Sequence, residues 1–433
     1  MATQGVEDQN LCLTETQVVA EKEISDIENE FVKMREEICA LEGIKILDLT
    51  RVLAGPYCTM ILSDLGADVL KIERPKVGDD TRAWGPPNIG NSSCYFMCVN
   101  RNKKSVSINL KDPEGQKIVR ELALQSDVLV ENYIPGKMEE YGLDYSTLRN
   151  LHPKLVYCSI NGYGDTGPYA KRAGYDVIAA SIGGLLHITG PDGGDPCKPG
   201  VALTDLTTGL YAHGAIMAAL FQRERTGLGQ RISINLLSAQ IASLVNLGAN
   251  HLLANQEAKR WGTAHESIVP YQSFATANGY LTIGGVNERQ FRELCSKLNR
   301  LELADDKRFL SNSQRVENRK VLVEEISRTL ATKTNEQWLA IFHDASFAYG
   351  PINTLSQAFQ DPQVLHSRIV QEIEHPTAGI LQLVGPPVQY SASENRIWLP
   401  PPELGQHTDE VLQQRLGYSP LQIEQLRNLE IIH

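Results

Sequence analysis

The chain has no apolar run long enough to cross a bilayer as a helix, which argues against a membrane-spanning role. It also lacks an excess of positive charge. The formal net charge is −11, so a general nucleic-acid binder or membrane-surface binder is not expected, and any anion site must be local. The eight cysteines are scattered and form no CxxC. Cys94 and Cys98 lie close together, but no second His or Cys pair completes a zinc site, so no metal is expected. Cysteine used in this way points to a reduced compartment. No GxGxxG is present, which removes the dinucleotide fingerprint. No GxSxG elbow or Ser/His/Asp order suggests a serine hydrolase. Internal repeats and low-complexity tracts are also missing.

What remains is ordinary in bulk and informative in pattern. With 433 residues, 42% hydrophobic and 21% charged, the chain is long enough for two domains with substantial cores. The segment from Lys45 to Arg82 reads as strand, sharp turn, helix, turn, strand. KILDLT is a short apolar run bounded by a turn, as a buried parallel strand would be. Gly55-Pro56 opens a helix, because proline near a helix start loses no hydrogen bond. The helix stops at Gly66, and ADVLKIER is the next strand. Arg51 and Arg74 each follow a strand, where an open parallel sheet places its ligand crevice. Two arginines there suggest a phosphate-bearing anion.

Four segments are expected. Residues 1–40 form an acidic, amphipathic helical extension. Ile24, Ile27, Phe31, Met34, Ile38 and Leu41 alternate at three-and-four spacing, the seam of a docked or coiled-coil helix. Residues 41–240 alternate strand and helix, the pattern of an α/β domain with a mostly parallel sheet. Residues 260–358 read as a smaller α+β domain. Residues 359–433 hold a hairpin and two short helices, and return to the large domain.

Several residues could carry chemistry. Arg101, Lys103 and Lys104 form the densest basic cluster, just before the strand SVSINL, and could face a phosphate at the crevice rim. Asp205 opens a helix in VALTDLTTGLY. Capping would explain it. The same geometry would also hold a carboxylate ionised and ready to attack an acyl thioester. Asp176 is a second helix-starting acid. His265 sits in a loop of small and polar residues, where packing alone would account for it.

The segments LDLTRVLAGP, LGADVLKIERPKVGDDTR, NRNKKSVSINLKDPEG, DVLVENYIPG, SINGYGDTGP, RAGYD, GVALTDLTTG and ERTGLGQ keep one order and spacing. Together they resemble the class III CoA-transferases, the formyl-CoA transferase family, from about residue 41 to the C-terminus. The resemblance implies an α/β fold: a Rossmann-like large domain with a smaller inserted α+β domain, in an interlocked homodimer. It implies Asp205 as the nucleophile, with Tyr175 and Asp176 beside it. CoA contacts would come from Arg51, Val52, Leu53, Ala54, Arg74 and Asn132. One family arginine is replaced here by Glu140, leaving Lys137 or Arg172 to supply the charge. Trp84 and Tyr95 would line the acyl pocket. The segments EAKRWGTAHESIVPYQSF and LGQHTDEVL resemble members that pass CoA from succinyl-CoA to dicarboxylic acids such as glutarate or hydroxymethylglutarate. That places Gly262, His265, Ser267 and Tyr271 near the acceptor. Coenzyme A thioester is then a substrate, and no prosthetic group is implied. This branch is mitochondrial, although the acidic first 40 residues do not read as a transit peptide, so a cytoplasmic location stays open. Two alternatives remain. The 2-methylacyl-CoA racemases share the fold, but their catalytic His would fall on Tyr175, whose pKa near about 10 suits two-way proton transfer poorly. A non-catalytic CoA-binding protein is the other.

Overall fold

The structure is a computed structural model and describes residues 39–433. The expected helix over residues 1–40 therefore falls outside the described residues. The chain divides into two units. One comprises Met1–Lys171, Thr208–Ile234 and Ile369–His433, and the other Arg172–Thr207 and Asn235–Arg368. The sequence pattern suggests boundaries near 240 and 260. Here the stretches 172–207 and 235–261 group with the smaller fold.

The first unit is built on a sheet of six strands: β1 (Lys45–Leu49), β2 (Asp68–Glu73), β3 (Lys103–Ser107), β4 (Val128–Glu131), β5 (Val156–Asn161) and β6 (Arg231–Asn235). Their order is β3-β2-β1-β4-β5-β6. The pairs β1–β2, β2–β3, β1–β4 and β4–β5 are all parallel. This is the doubly wound order whose direction reverses between β1 and β4, and ligands bind outside the carboxyl ends of strands at such a switch point. The central strands β1 and β4, KILDL and VLVE, are mostly apolar and buried, because both faces of a parallel sheet are covered there. Helix α1 (Ala54–Asp64) follows β1, and α2 (Pro113–Ala123) follows β3. The Asp112 side chain caps α2 and Pro113 starts it, as the KDPEG motif dictates. Leu47, Leu70, Ile72 and Val106 pack against Ile118 and Leu122 of α2 and against Leu412 and Leu426 of the two C-terminal helices. The expected hairpin is present, with Val370–His375 pairing antiparallel to Gly379–Val384.

The second unit holds a three-stranded antiparallel sheet, with Tyr280–Gly284 between Tyr271–Ala275 and Ala348–Pro351. Helices cover it around a core of Phe274, Ile283, Phe291, Ile326 and the stacked aromatic pair Trp338 and Phe342. It also contains a short helix, α3 (Asp176–Ile182), and the start of the 24-residue helix α4 (Leu203–Thr226).

Candidate active site

Within the first unit, a cleft of about 790 Å³ opens at the carboxyl ends of β1 to β4. Its wall includes Arg51 after β1, Arg74 after β2, Lys111 after β3, and Tyr133 after β4. Both arginines converge on Asp80, Arg51 at 2.9 Å and Arg74 at 2.5 Å. Arg74 also donates to the Gly78 carbonyl. Asn132 clasps the first turn from both sides. Its Oδ1 accepts the Arg51 N–H at 3.0 Å, and its Nδ2 donates to the Arg51 carbonyl at 2.7 Å. Val52 follows, and Leu53 and Ala54 are buried where α1 begins. Lys137 lines the cleft and pairs with Glu140 at 2.5 Å. Lys76, Lys111 and Tyr133 are not singled out by the sequence pattern, yet they share this cleft. Lys76 and Lys111 lie just past the ends of β2 and β3, so the strand-end argument applied to the arginines would have found them.

The basic cluster is corrected. Arg101, Lys103 and Lys104 stand at the amino end of β3, the edge opposite the cleft. Arg101 is buried and grips Asp64 at 2.6 Å. Lys103 is fully buried, donating to Asp48 at 3.1 Å and to the Pro56 carbonyl at 2.8 Å. Lys104 pairs with Glu410 at 2.8 Å. Burial drives the Lys103 ammonium down to about 8, although Asp48 opposes the shift. The Asp48 carboxyl is pushed up by burial, but Lys103 and then Lys71 outweigh that and hold it at about 2. These charges serve the scaffold. A run of cations shows that partners are needed, and not whether those partners are phosphates or aspartates.

In the second unit, Asp205 and Asp176 meet. Asp205 lies in the first turn of α4, and its N–H donates to Asp176 Oδ1 at 3.1 Å. Tyr175 precedes α3 and is exposed. Asp176 is the first residue of α3 rather than its cap, so its side chain reaches across to α4. Asp205 is 9% exposed. Burial, and next the Asp176 charge, push its carboxyl up to about 7. This corrects the expectation that the helix start simply keeps it ionised. Burial disfavours the charged form, and the Asp176 charge, of the same sign, adds to it. The neighbouring Thr204 donates to the buried Gln240 at 2.8 Å. One turn beyond Asp205, Gly209 lies so close to α1 that a Cβ there would sit 2.7 Å from the Ala54 carbonyl oxygen. That part of α4 belongs to the first unit.

The remaining candidates fall into two groups. Trp84 and Tyr95, in the first unit, meet edge to face with ring centroids 5.3 Å apart. Gly262, His265, Ser267 and Tyr271 share one loop and strand start in the second unit. His265 stacks on Tyr271 at 5.5 Å, and its Nδ1 accepts the Ser267 N–H at 3.1 Å. A neutral ring then carries its proton on Nε2, as a donor. Gly262, at φ +61°, donates its N–H to the Gly190 carbonyl. Arg172 begins the second unit.

Residues 41–408 match the model of CoA-transferase family III. The chain belongs to CoA-transferase family III. It is 55% identical to the succinyl-CoA:glutarate CoA-transferase of Mus musculus over 386 residues, covering 89% of this chain and 88% of that protein. It is 52% identical to the enzyme of the same name from Homo sapiens over 392 residues, covering 90% of each. Among solved structures it is similar to a CAIB/BAIF family protein from Brucella suis, with a TM-score of 0.79 and 38% identity, covering 87% of this chain and 99% of that one. The family III enzyme is thus a CoA-transferase, for which CoA thioesters are substrates. Among the described residues, no helix is long and apolar enough to cross a membrane.

Proposed function

We propose that this family III enzyme moves CoA from succinyl-CoA to a dicarboxylate such as glutarate or hydroxymethylglutarate, with Asp205 as nucleophile. The observation that carries the reading is the Asp205 carboxyl itself. It is buried in the first turn of a helix, raised to about 7, and touched through its own amide by Asp176. A carboxylate with a raised pKa is both poorly solvated and more basic, and so a better nucleophile.

Asp205 attacks the thioester carbonyl and expels CoA thiolate, forming a mixed anhydride. The thiolate then attacks the aspartyl carbonyl, leaving an aspartyl-CoA thioester and free succinate. The acceptor carboxylate attacks that thioester and releases the thiolate again. The thiolate closes the cycle on the acceptor's acyl carbon and frees Asp205. The helix terminus stabilises negative charge at each addition. These polar steps require no prosthetic group. In this reading Arg51, Arg74 and Lys137 meet the CoA phosphates, and Val52, Leu53, Ala54 and Asn132 shape the turn. Trp84 and Tyr95 serve the acyl group. His265, Ser267, Tyr271 and Gly262 serve the acceptor. The enzymes named for succinyl-CoA and glutarate, at 52% and 55% identity, support this choice of substrates.

A second copy of the chain completes the proposal, as an interlocked homodimer. The helix Val245–Ala254 buries none of its side chains, and Val245, Leu252 and Leu253 stand largely exposed. Apolar surface of that kind favours a protein partner. The mitochondrial compartment implied by the family branch belongs to the same proposal. The test is to mix enzyme, succinyl-CoA and glutarate and follow glutaryl-CoA. Deuterium uptake at the α-carbon of a 2-methylacyl-CoA, without any carboxylate acceptor, would favour an isomerase instead.

A further inference from the structure

Val52 has φ +71°. Left-handed backbone is rare for any side chain except glycine, and rarest for one branched at Cβ. Such a conformation persists only where its surroundings over-determine it, and it clusters at ligand clamps. Here the turn is held at several points. The Thr50 carbonyl accepts from Lys71 Nζ at 2.8 Å. The Arg51 amide and carbonyl are both taken by Asn132. The Val52 N–H donates to Asp79 Oδ1 at 3.2 Å. That same oxygen accepts the Thr81 N–H and hydroxyl, which fixes the carboxylate's orientation. Its other oxygen pairs with Lys71 Nζ at 2.9 Å, and both side chains are fully buried. The Asp79 N–H in turn donates to Glu73 Oε2 at 2.9 Å. Lys71 and Asp79 thus take hold of the β1–α1 turn at the Thr50 carbonyl and the Val52 amide, while Asn132 holds Arg51 between them.

We propose that Lys71 and Asp79 are positioning residues, which hold Val52 left-handed and so present the backbone of Arg51–Ala54 in the shape that the CoA thioester requires. The inference rests on the reading of this cleft as the CoA site. Asp79 belongs to the cleft wall, but both side chains are fully buried and turned to each other and to the turn. Their effect is exerted before binding, by removing the cost of ordering the turn.

The separating experiment uses four full-length proteins: wild type, Asp79→Ala, Val52→Gly and the double variant. CoA binding is measured by calorimetry, turnover by steady-state kinetics with succinyl-CoA, and folding by thermal melting. Asp79→Ala is expected to weaken CoA binding and raise KM about tenfold while kcat falls less than about twofold, as lost preorganisation requires. Val52→Gly alone removes a side chain of the CoA-binding turn and serves as the reference, because glycine enters the left-handed region freely, and adding Asp79→Ala to it should weaken binding by less than about twofold. A purely structural role for Asp79 would lower the melting temperature and weaken binding by the same factor in either background. If Asp79→Ala does not fold, Asp79→Asn keeps the acceptor oxygen and loses the ion pair, and a smaller rise in KM is expected. Wild-type affinity in both Asp79 variants, or a loss on adding Asp79→Ala to Val52→Gly as large as in wild type, would overturn the inference. A wild-type enzyme that binds no CoA would overturn the reading of the cleft itself.

Discussion

Two regions bury carboxylates and treat them in opposite ways. Beneath the cleft, Asp48, Glu73 and Asp79 are all buried, and burial alone would raise each of them. Lys103 and Lys71, with Arg82 for Glu73, reverse the sign and hold all three low. At the start of α4, Asp205 is also buried but has another carboxylate for a neighbour, and it is raised to about 7. The same functional group is thus held well below the usual carboxylate range in one place and raised above it in the other. Cations separate these four, although burial leaves Asp64 raised even beside Arg101, and burial also raises Glu131 to about 7. A raised buried acid is a place to look for chemistry, a state that Asp205 shares with Glu131 and that its motif and Asp176 then distinguish.

The contrast can be broken most severely at Asp205. Asp205→Ala should lower CoA transfer by on the order of 1,000-fold or more, as loss of a nucleophile does. Product formation followed by chromatography would check this. Next in size is the scaffold. Lys103→Met breaks a fully buried ion pair, leaving Asp48 only Lys71 and the Thr50 and Thr59 hydroxyls, and should cost about 3–5 kcal/mol in urea unfolding, whereas Lys104→Ala, one residue on, should cost under about 0.5 kcal/mol.

Titration gives the third test. Asp205 has a folded pKa of about 7, above its ordinary carboxylate value. Its contribution to stability is therefore fully present below about pH 4 and is lost as pH rises through about 7. Asp205→Asn should remove that loss and stabilise the protein by up to roughly 4 kcal/mol above neutrality, with no gain near pH 4. Melting curves at the two pH values would show it. Activity of the wild type should run the other way, rising with pH through about 7 as the nucleophilic form appears. The smallest effect is steric. Gly209→Ala places a methyl against the Ala54 carbonyl and should cost about 1–3 kcal/mol.

Local patterns in the sequence carried the first βαβ unit, the KDPEG helix start and the C-terminal hairpin, because each depends on neighbours in the chain. The strand-end rule also found Arg51 and Arg74. Lys71 was invisible by the same logic. In ADVLKIER it reads as an ordinary strand lysine, and only the folded sheet reveals Asp79 and the Thr50 carbonyl waiting for it. Arg101 and Lys103 failed for a related reason, since charge density says nothing about which end of a strand faces the ligand. The position of Asp205 was legible from its motif. Its raised pKa was not, because that depends on burial and on Asp176, 29 residues away.

The central claim is that Asp205 becomes covalently acylated. The most direct measurement incubates the enzyme with succinyl-CoA, quenches with hydroxylamine, and maps the modified peptide by mass spectrometry. A hydroxamate is expected on Asp205 and on no other carboxylate, and it should be absent when succinyl-CoA is withheld. Full turnover with an unmodified Asp205, or a hydroxamate on Asp176 in its place, would contradict it.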